Sequence, residues 1–150
     1  VVYHELNKRS TALDVLGALI DWGGGHFSNS QARLMLAYFD QMLRRGRCLT
    51  LYEHGALVGV CTFFVLDART HVESWQTCQP WSTPQDEEGG TMIYIDFFAT
   101  ERWTKALRKE VEDQLAWRFP QFTHAVYFRF GNSLRKLVIP RRRCLDGATV

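Results

Sequence analysis

The apolar positions near the start of the chain recur at helical spacing. A first helix is predicted over residues 10–22, with Ser10 or Thr11 as its cap. The glycines at 23–25 end it, because three glycines carry a large entropic cost in a regular element. The expected apolar face consists of Leu13, Leu16 and Ile20.

A second helix is predicted after the capping residues 28–30, and it continues to about Arg45. Arg44, Arg45 and Arg47 lie near its end, where cations suit the negative pole of a helix. The expected apolar face is broad and consists of Leu34, Met35, Tyr38, Phe39 and Met42.

A β-hairpin follows. Residues 48–52 are β-prone, His54-Gly55 forms the turn, and Ala56 to Leu66 is a longer strand. The polar segment 67–90 is expected to be a long loop.

Strand, helix and strand alternate in the remainder of the chain. A strand is predicted from Thr91 to Phe98, and a helix capped by Thr104 reaches Arg118, where Pro120 stops it. The buried stripe of this helix is expected to be Leu107, Val111 and Leu115. A strand over 124–130 completes the main pattern, and 137–139 can add a short strand beyond it. The order α-α-β-β-β-α-β predicts an α/β domain with a mixed sheet and flanking helices, in which 91–130 is long enough for a parallel crossover.

Length and composition favour a single domain over residues 1–150, with 46% hydrophobic and 23% charged residues. No apolar run approaches the length of a membrane span, and the N-terminal residues do not have the pattern of a signal peptide, so none is expected in this sequence. The chain starts at Val1, so the true start can lie upstream. Cys48 and Cys61 sit in strand-like contexts typical of reduced, buried thiols, and a cytoplasmic protein is the simplest expectation.

The charge is unevenly distributed. Residues 1–100 carry 7 basic and 11 acidic side chains, whereas residues 101–150 carry 11 and 5. The basic third would attract an anionic partner, although a solvated basic face explains it equally well.

Two residues stand out chemically. Asp96 lies in an otherwise apolar strand, where a carboxylate is costly unless it is paired or has solvent access. His26 follows three glycines and precedes a helix, which is a suitable place to hold an imidazole in a cleft. Each also has an ordinary interpretation, a structural carboxylate and a surface histidine.

The sequence lacks the motifs of several other kinds of functional site. The sequence has no GxSxG nucleophile elbow, no metal-ligand spacing, and no GxGxxG or P-loop after a strand. The run Arg141–Arg143 lacks the basic helix or aromatic platform of a nucleic-acid site, so nucleic acid is not an expected partner.

Three stretches together resemble the bacterial lysine acyltransferases that activate RTX toxins. Residues 13–22 followed by His26 resemble that family's first helix and essential histidine, and Arg47 to Leu66 resembles its hairpin. Tyr94–Ala99 resembles the strand that carries the essential aspartate, at a similar interval from the histidine. Phe119-Pro120 and the strand ending near Arg129 continue the similarity, which covers most of residues 11–130.

The resemblance implies a GCN5-related N-acetyltransferase-like fold and the transfer of a fatty acyl group from acyl carrier protein to internal lysines of a protein acceptor. His26 would be the general base or a transient acyl acceptor, and Asp96 its partner. A lysine amine attacks a thioester only when neutral, so a base with a pKa near 7 suits the reaction.

The donor is expected to be acyl carrier protein, which is acidic, with no tightly bound cofactor and no metal. Thr100–Trp103 stands where ordinary acetyltransferases have a glycine-rich pyrophosphate loop, which makes acyl-CoA the alternative donor. A non-catalytic binding or structural protein on the same fold is the other alternative. The apolar strands and aromatic residues also permit a homodimer.

Overall fold

The computed structural model describes residues 2–4, 10–23, 29–66, 90, 92–122, 124–129 and 133–138. The elements in these residues are β1 (Val2–His4), α1 (Ala12–Gly23), α2 (Asn29–Arg44), β2 (Cys48–Glu53), β3 (Ala56–Leu66), β4 (Met92–Thr100), α3 (Lys105–Arg118), β5 (His124–Arg129) and β6 (Ser133–Val138). The predicted loop 67–90 lies outside the described residues except for Gly90.

The described strands follow the order β1-β2-β3-β4-β5-β6. Strands β1, β2 and β3 pair antiparallel, β4 and β5 pair parallel, and β5 and β6 pair antiparallel. The predicted mixed α/β architecture is therefore confirmed, and so is the parallel relation of the two strands that flank α3.

The predicted element order lacked β1, and the additional short strand predicted at 137–139 was placed too late in the chain. Only three residues form β1, too few for an alternating pattern, and the strand exists because it pairs with β2 from Val2↔Glu53 to His4↔Leu51. The last strand is β6, at Ser133–Val138 rather than 137–139, because its register with β5 begins at Arg129↔Ser133.

The described residues divide into two compact units. One contains the chain up to Thr62 together with Phe97–Val111, and the other contains Phe63–Asp96 together with the chain from Glu112 onward.

The β2–β3 hairpin lies where the sequence predicted it, with β2 one residue longer than expected, to Glu53. Its two-residue turn places His54 at φ 52° and Gly55 at φ 78°, both in the left-handed region. A turn of this kind matches the twist of the flanking strands, and glycine enters it without steric cost. The sequence pattern His-Gly between two β-prone runs therefore determines this hairpin locally.

The start of α1 is closed by a reciprocal cap. The Asp14 backbone N–H donates to Thr11 Oγ1 at 3.2 Å, and the Thr11 backbone N–H donates to Asp14 Oδ2 at 2.8 Å. Asp14 also places a carboxylate in the first turn, where the helix dipole favours it.

The predicted buried face of α1 is partly wrong. Leu16 is buried, but Leu13 is 69% and Ile20 43% exposed, and the buried face is Val15, Leu16 and Leu19. Apolar residues occur almost all around this helix, so the spacing fits more than one face, and packing selects between them.

Helix α2 packs through the second half of its predicted face. Phe39 and Met42 are buried, whereas Leu34 is 72% exposed, which contradicts its assignment to the core. Met35 lies on the same stripe of the helix as Phe39 and Met42. Leu34 lies about 100° around the helix from Met35 and therefore at the edge of that stripe. The Tyr38 hydroxyl and Thr62 Oγ1 hydrogen-bond at 2.6 Å, and the Phe39 and Phe97 rings meet edge to face at 5.4 Å.

Helix α3 is capped as predicted, since the Leu107 N–H donates to Thr104 Oγ1 at 3.2 Å. The predicted stripe of Leu107, Val111 and Leu115 is buried. Leu107 packs against β3 at Gly59, where an added Cβ would lie 3.2 Å from Leu107 Cδ2 and 3.0 Å from Leu51 Cδ1. The absence of a side chain at Gly59 thus allows the start of α3 to approach the hairpin closely.

An aromatic cluster forms part of the core of the second unit. Phe63 packs edge to face on Phe119 at 5.6 Å, and Phe119 stacks on Phe122 at 5.7 Å. Gly90 lies so close to Leu66 that an added Cβ would come within 2.7 Å of the Leu66 carbonyl oxygen. None of the described helices is long and apolar enough to cross a bilayer.

Candidate functional site

Asp96 lies at the point where β4 changes from buried to partly exposed. Met92–Ile95 are buried, and the five residues from Asp96 to Thr100 are of intermediate exposure. Such a position avoids the full desolvation cost of a carboxylate in an apolar strand. The structure therefore accounts for the polar residue in this strand by giving it access to solvent.

The pairing of β4 with its parallel neighbour adds a second feature. The register joins Ile93, Tyr94 and Ile95 to Ala125, Val126 and Tyr127, and Asp96 is the next residue along β4. The printed parallel register therefore ends just before Asp96, whereas β4 itself continues to Thr100. Asp96 lies in the middle of the strand, one residue beyond this register.

Tyr94 lies two residues before Asp96, so the two side chains leave β4 on the same face. Burial raises the pKa of the Tyr94 phenol above its ordinary value, and the negative charge of Asp96 raises it further. A phenol in this state remains protonated at neutral pH. Tyr94 is therefore a buried, neutral side chain on the same face of β4 as Asp96, a feature that the apolar pattern of the strand did not predict.

His26, the predicted partner of Asp96, lies outside the described residues. The segment 24–28 that contains it joins the last residue of α1, Gly23, to the first residue of α2, Asn29. The proposed pairing of the imidazole with Asp96 therefore stays a prediction.

The buried cysteines do not supply a nucleophile. Cys48 and Cys61 are both buried thiols outside any disulfide, as the sequence predicted. Burial raises the pKa of the Cys61 thiol, and the neighbouring Cys48 raises it further. Since the thiolate is the reactive form, Cys61 is held in its inert state.

A second cluster of functional interest follows β4 directly. The Trp103 ring lies 5.5 Å from the Phe98 ring, yet Trp103 remains 58% exposed. Arg102 and Lys105 on either side of it are also exposed. The Glu101 backbone N–H donates to the Val58 carbonyl at 3.0 Å and anchors the segment to β3. The sequence had indicated only the overall basic charge of this third of the chain.

No protein-family model and no curated protein matches this chain. Among solved structures, the chain is similar to the loading GNATL domain of CurA from Lyngbya majuscula. The TM-score is 0.53 at 10% sequence identity, over 100% of this chain and 69% of that one. A structure described as a bacterial toxin matches with a TM-score of 0.37 at 12% identity, over 85% of this chain and 73% of that one. The first likeness establishes the fold, a GNAT-like α/β arrangement.

Proposed function

We propose that this protein is a lysine acyltransferase that moves a fatty acyl group from acyl carrier protein to a lysine of a protein acceptor. The observation that carries the proposal is the position of Asp96, a partly exposed carboxylate one residue beyond the parallel pairing of β4 and β5, on a GNAT-like fold. The resemblance of residues 11–130 to the toxin-activating lysine acyltransferases supports the choice of donor and acceptor.

The proposed chemistry is the aminolysis of a thioester. The neutral ε-amine of the acceptor lysine attacks the thioester carbonyl carbon, the C–N bond forms and the C–S bond breaks. The amine proton passes to His26 and then to the departing pantetheine thiolate. Alternatively, the His26 imidazole nitrogen attacks the thioester, forming an N–C bond as the C–S bond breaks, and the departing thiolate takes a proton. The lysine amine then attacks the acyl-imidazole, the N–acyl bond breaks, and the amine proton passes to the imidazole that leaves.

Asp96 would act by orienting the His26 imidazole and stabilising its charged form. A carboxylate in this role fixes the tautomer of the histidine and favours the imidazolium that develops during transfer. Tyr94, on the same face of β4, stays neutral and therefore adds no negative charge that would disfavour the ionised carboxylate of Asp96.

The experiment compares acyl transfer from carrier-bound and CoA-bound hexadecanoyl groups in the wild type, Asp96→Asn and His26→Ala. Mass spectrometry follows the loss of donor and the gain of acyl mass on lysine-containing proteins of a host lysate. We expect each variant to lower turnover of the carrier-bound donor by about 10²-fold or more, the usual contribution of a general base.

Two control variants separate chemistry from general damage. Asp21→Asn removes an exposed carboxylate from α1, and His54→Asn removes the imidazole at the hairpin turn while keeping a residue that tolerates a positive φ. Both should keep wild-type turnover. Equal turnover in Asp96→Asn and Asp21→Asn would refute the role of Asp96. A folded wild type that consumes neither donor would favour a non-catalytic binding protein.

A further inference from the structure

Five exposed residues between positions 102 and 109 form what we call the basic surface: Arg102, Trp103, Lys105, Arg108 and Lys109. All five belong to the first of the two compact units. Residues 101–109 contain four cations and one carboxylate, Glu101, whereas residues 110–113 add three carboxylates, so the excess of positive charge is confined to the start of α3 and the segment before it. Lys105, Arg108 and Lys109 share one face of α3, and Glu112 follows on that face four residues after Arg108.

The charges of the basic surface oppose the dipole of their own helix. The first turn of α3 contains Lys105 and Arg108 and no acidic residue, whereas α1 has Asp14 in its first turn. The positive pole of a helix favours carboxylates and disfavours cations. This arrangement costs stability in the isolated chain, and an anionic partner bound at this surface would offset that cost. Departures from local preference of this kind are expected at functional sites.

Trp103 gives the basic surface an apolar centre. A tryptophan that is 58% exposed leaves a large apolar area in water, and contact with the Phe98 ring holds it in place. Tryptophan and arginine are the residues most enriched among those that dominate binding energy at protein interfaces. A surface that only had to attract small anions would have no use for the exposed indole.

We propose that the basic surface docks the acidic carrier protein that delivers the acyl thioester. This inference rests on the proposed function and identifies where the donor binds. Complementary charge would steer the carrier protein to the surface and set its orientation, and Trp103 would supply the buried apolar contact. Docking here uses residues that are separate from Asp96 and His26, so binding and chemistry can be tested independently.

Binding is measured by isothermal titration of the full chain with a bacterial acyl carrier protein bearing unacylated phosphopantetheine. The test variant is Arg102→Glu/Lys105→Glu. The matched control is Arg33→Glu/Arg45→Glu, which changes the net charge equally at exposed positions of the same unit. We expect Kd to rise about 10-fold or more in the test variant and less than about 3-fold in the control. Wild-type binding should weaken as salt rises from 50 to 500 mM.

Trp103→Ala keeps the charge and should also weaken binding by about 10-fold, with little change in the salt dependence. Equal weakening in the test and control variants would overturn the proposal, because it would show a general charge effect. Failure of the wild type to bind the carrier protein at 50 mM salt would also overturn it. Thermal melting of each variant confirms that the protein is folded.

Kinetics with two donors distinguish this inference from the proposed function. The test variant should lower kcat/KM for the carrier-bound hexadecanoyl group about 10-fold and leave kcat/KM for hexadecanoyl-CoA nearly unchanged. An equal loss with both donors would assign the surface to the phosphates of the donor and overturn docking of a protein. If the carrier protein binds as expected but neither donor is consumed, docking stands and the proposed function fails. Tighter binding of single-stranded DNA, lost in the same variant, would overturn docking in favour of nucleic acid.

Discussion

The contact between Gly59 and Leu107 offers a quantitative test of how α3 is held on the hairpin. Changing Gly59 to Ala places a methyl group 3.2 Å from Leu107 Cδ2 and 3.0 Å from Leu51 Cδ1, both closer than ordinary contact. Leu51 is fully buried and Leu107 is 2% exposed, so neither side chain can move away freely. Overpacking of this kind costs about 1–3 kcal/mol, and the reduced entropy of the unfolded chain returns about 0.4–1 kcal/mol.

Leu107→Ala changes the packed volume in the opposite direction. It leaves a cavity and lowers the free energy of unfolding by about 2–5 kcal/mol. In the double variant Gly59→Ala/Leu107→Ala the crowding methyl group no longer meets Cδ2 and fills part of the cavity. We therefore expect the double variant to be about 1 kcal/mol more stable than the sum of the single changes predicts, within the usual range for residues in contact. The remaining crowding against Leu51 prevents a full rescue.

Urea unfolding followed by circular dichroism and by tryptophan fluorescence measures the four members of the cycle, and coincident transitions justify a two-state treatment. The control cycle pairs Gly59→Ala with Leu16→Ala, a buried leucine on α1 that is not among the three nearest contacts of the added methyl group. Its two changes should add within about 0.5 kcal/mol. Additivity in the Gly59–Leu107 cycle as well would refute the close packing of α3 on β3.

Three further outcomes are expected. Lys105→Glu should raise the free energy of unfolding by about 0.3–1 kcal/mol, because it reverses an unfavourable charge in the first turn of α3. The control Arg33→Glu lies beyond the first turn of α2 and should not raise it. A lower free energy of unfolding in Lys105→Glu would contradict the dipole reasoning. Tyr94 has a raised pKa in the folded state, so its contribution is present below the unfolded value of about 10 and is lost as pH rises above it. Urea unfolding at pH 8 and 10.5 should therefore show a larger loss of stability in the wild type than in Tyr94→Phe, and equal losses would argue against it. Gly90→Ala should lower the free energy of unfolding more than Gly59→Ala does, because its methyl group would meet the Leu66 backbone at 2.7 Å and not a flexible side chain. A higher urea midpoint for Gly90→Ala than for Gly59→Ala would contradict this and show that the segment shifts.

Much of the fold is encoded locally in the sequence. The hairpin lies within one residue of its predicted bounds because His54-Gly55 suits a turn with two positive φ angles and both flanking runs are β-prone. The third helix is determined in the same way, by the Thr104 cap and the residues at helical spacing behind it. In these elements local preference and tertiary packing agree.

Other features are decided by packing. Leu13 and Ile20 share the apolar character of Val15 and Leu19, yet only the latter two are buried. The three residues of β1 carry no pattern of their own and are a strand only because β2 offers them an edge. Periodicity identifies a helix or a strand, but it cannot choose between two apolar faces or recruit a short segment.

The candidate site is also determined partly by the sequence alone and partly by the tertiary structure. The sequence alone identifies Asp96 as an unusual residue and, through a resemblance, gives His26 as its expected partner. The tertiary structure decides that Asp96 lies just beyond the parallel pairing of β4 with β5 and is partly exposed there. It also decides that Trp103 remains in solvent beside the cations of α3. Residue types carry the possible chemistry of a site, but exposure and strand register depend on contacts between segments that are distant in the chain, so only the folded structure determines them.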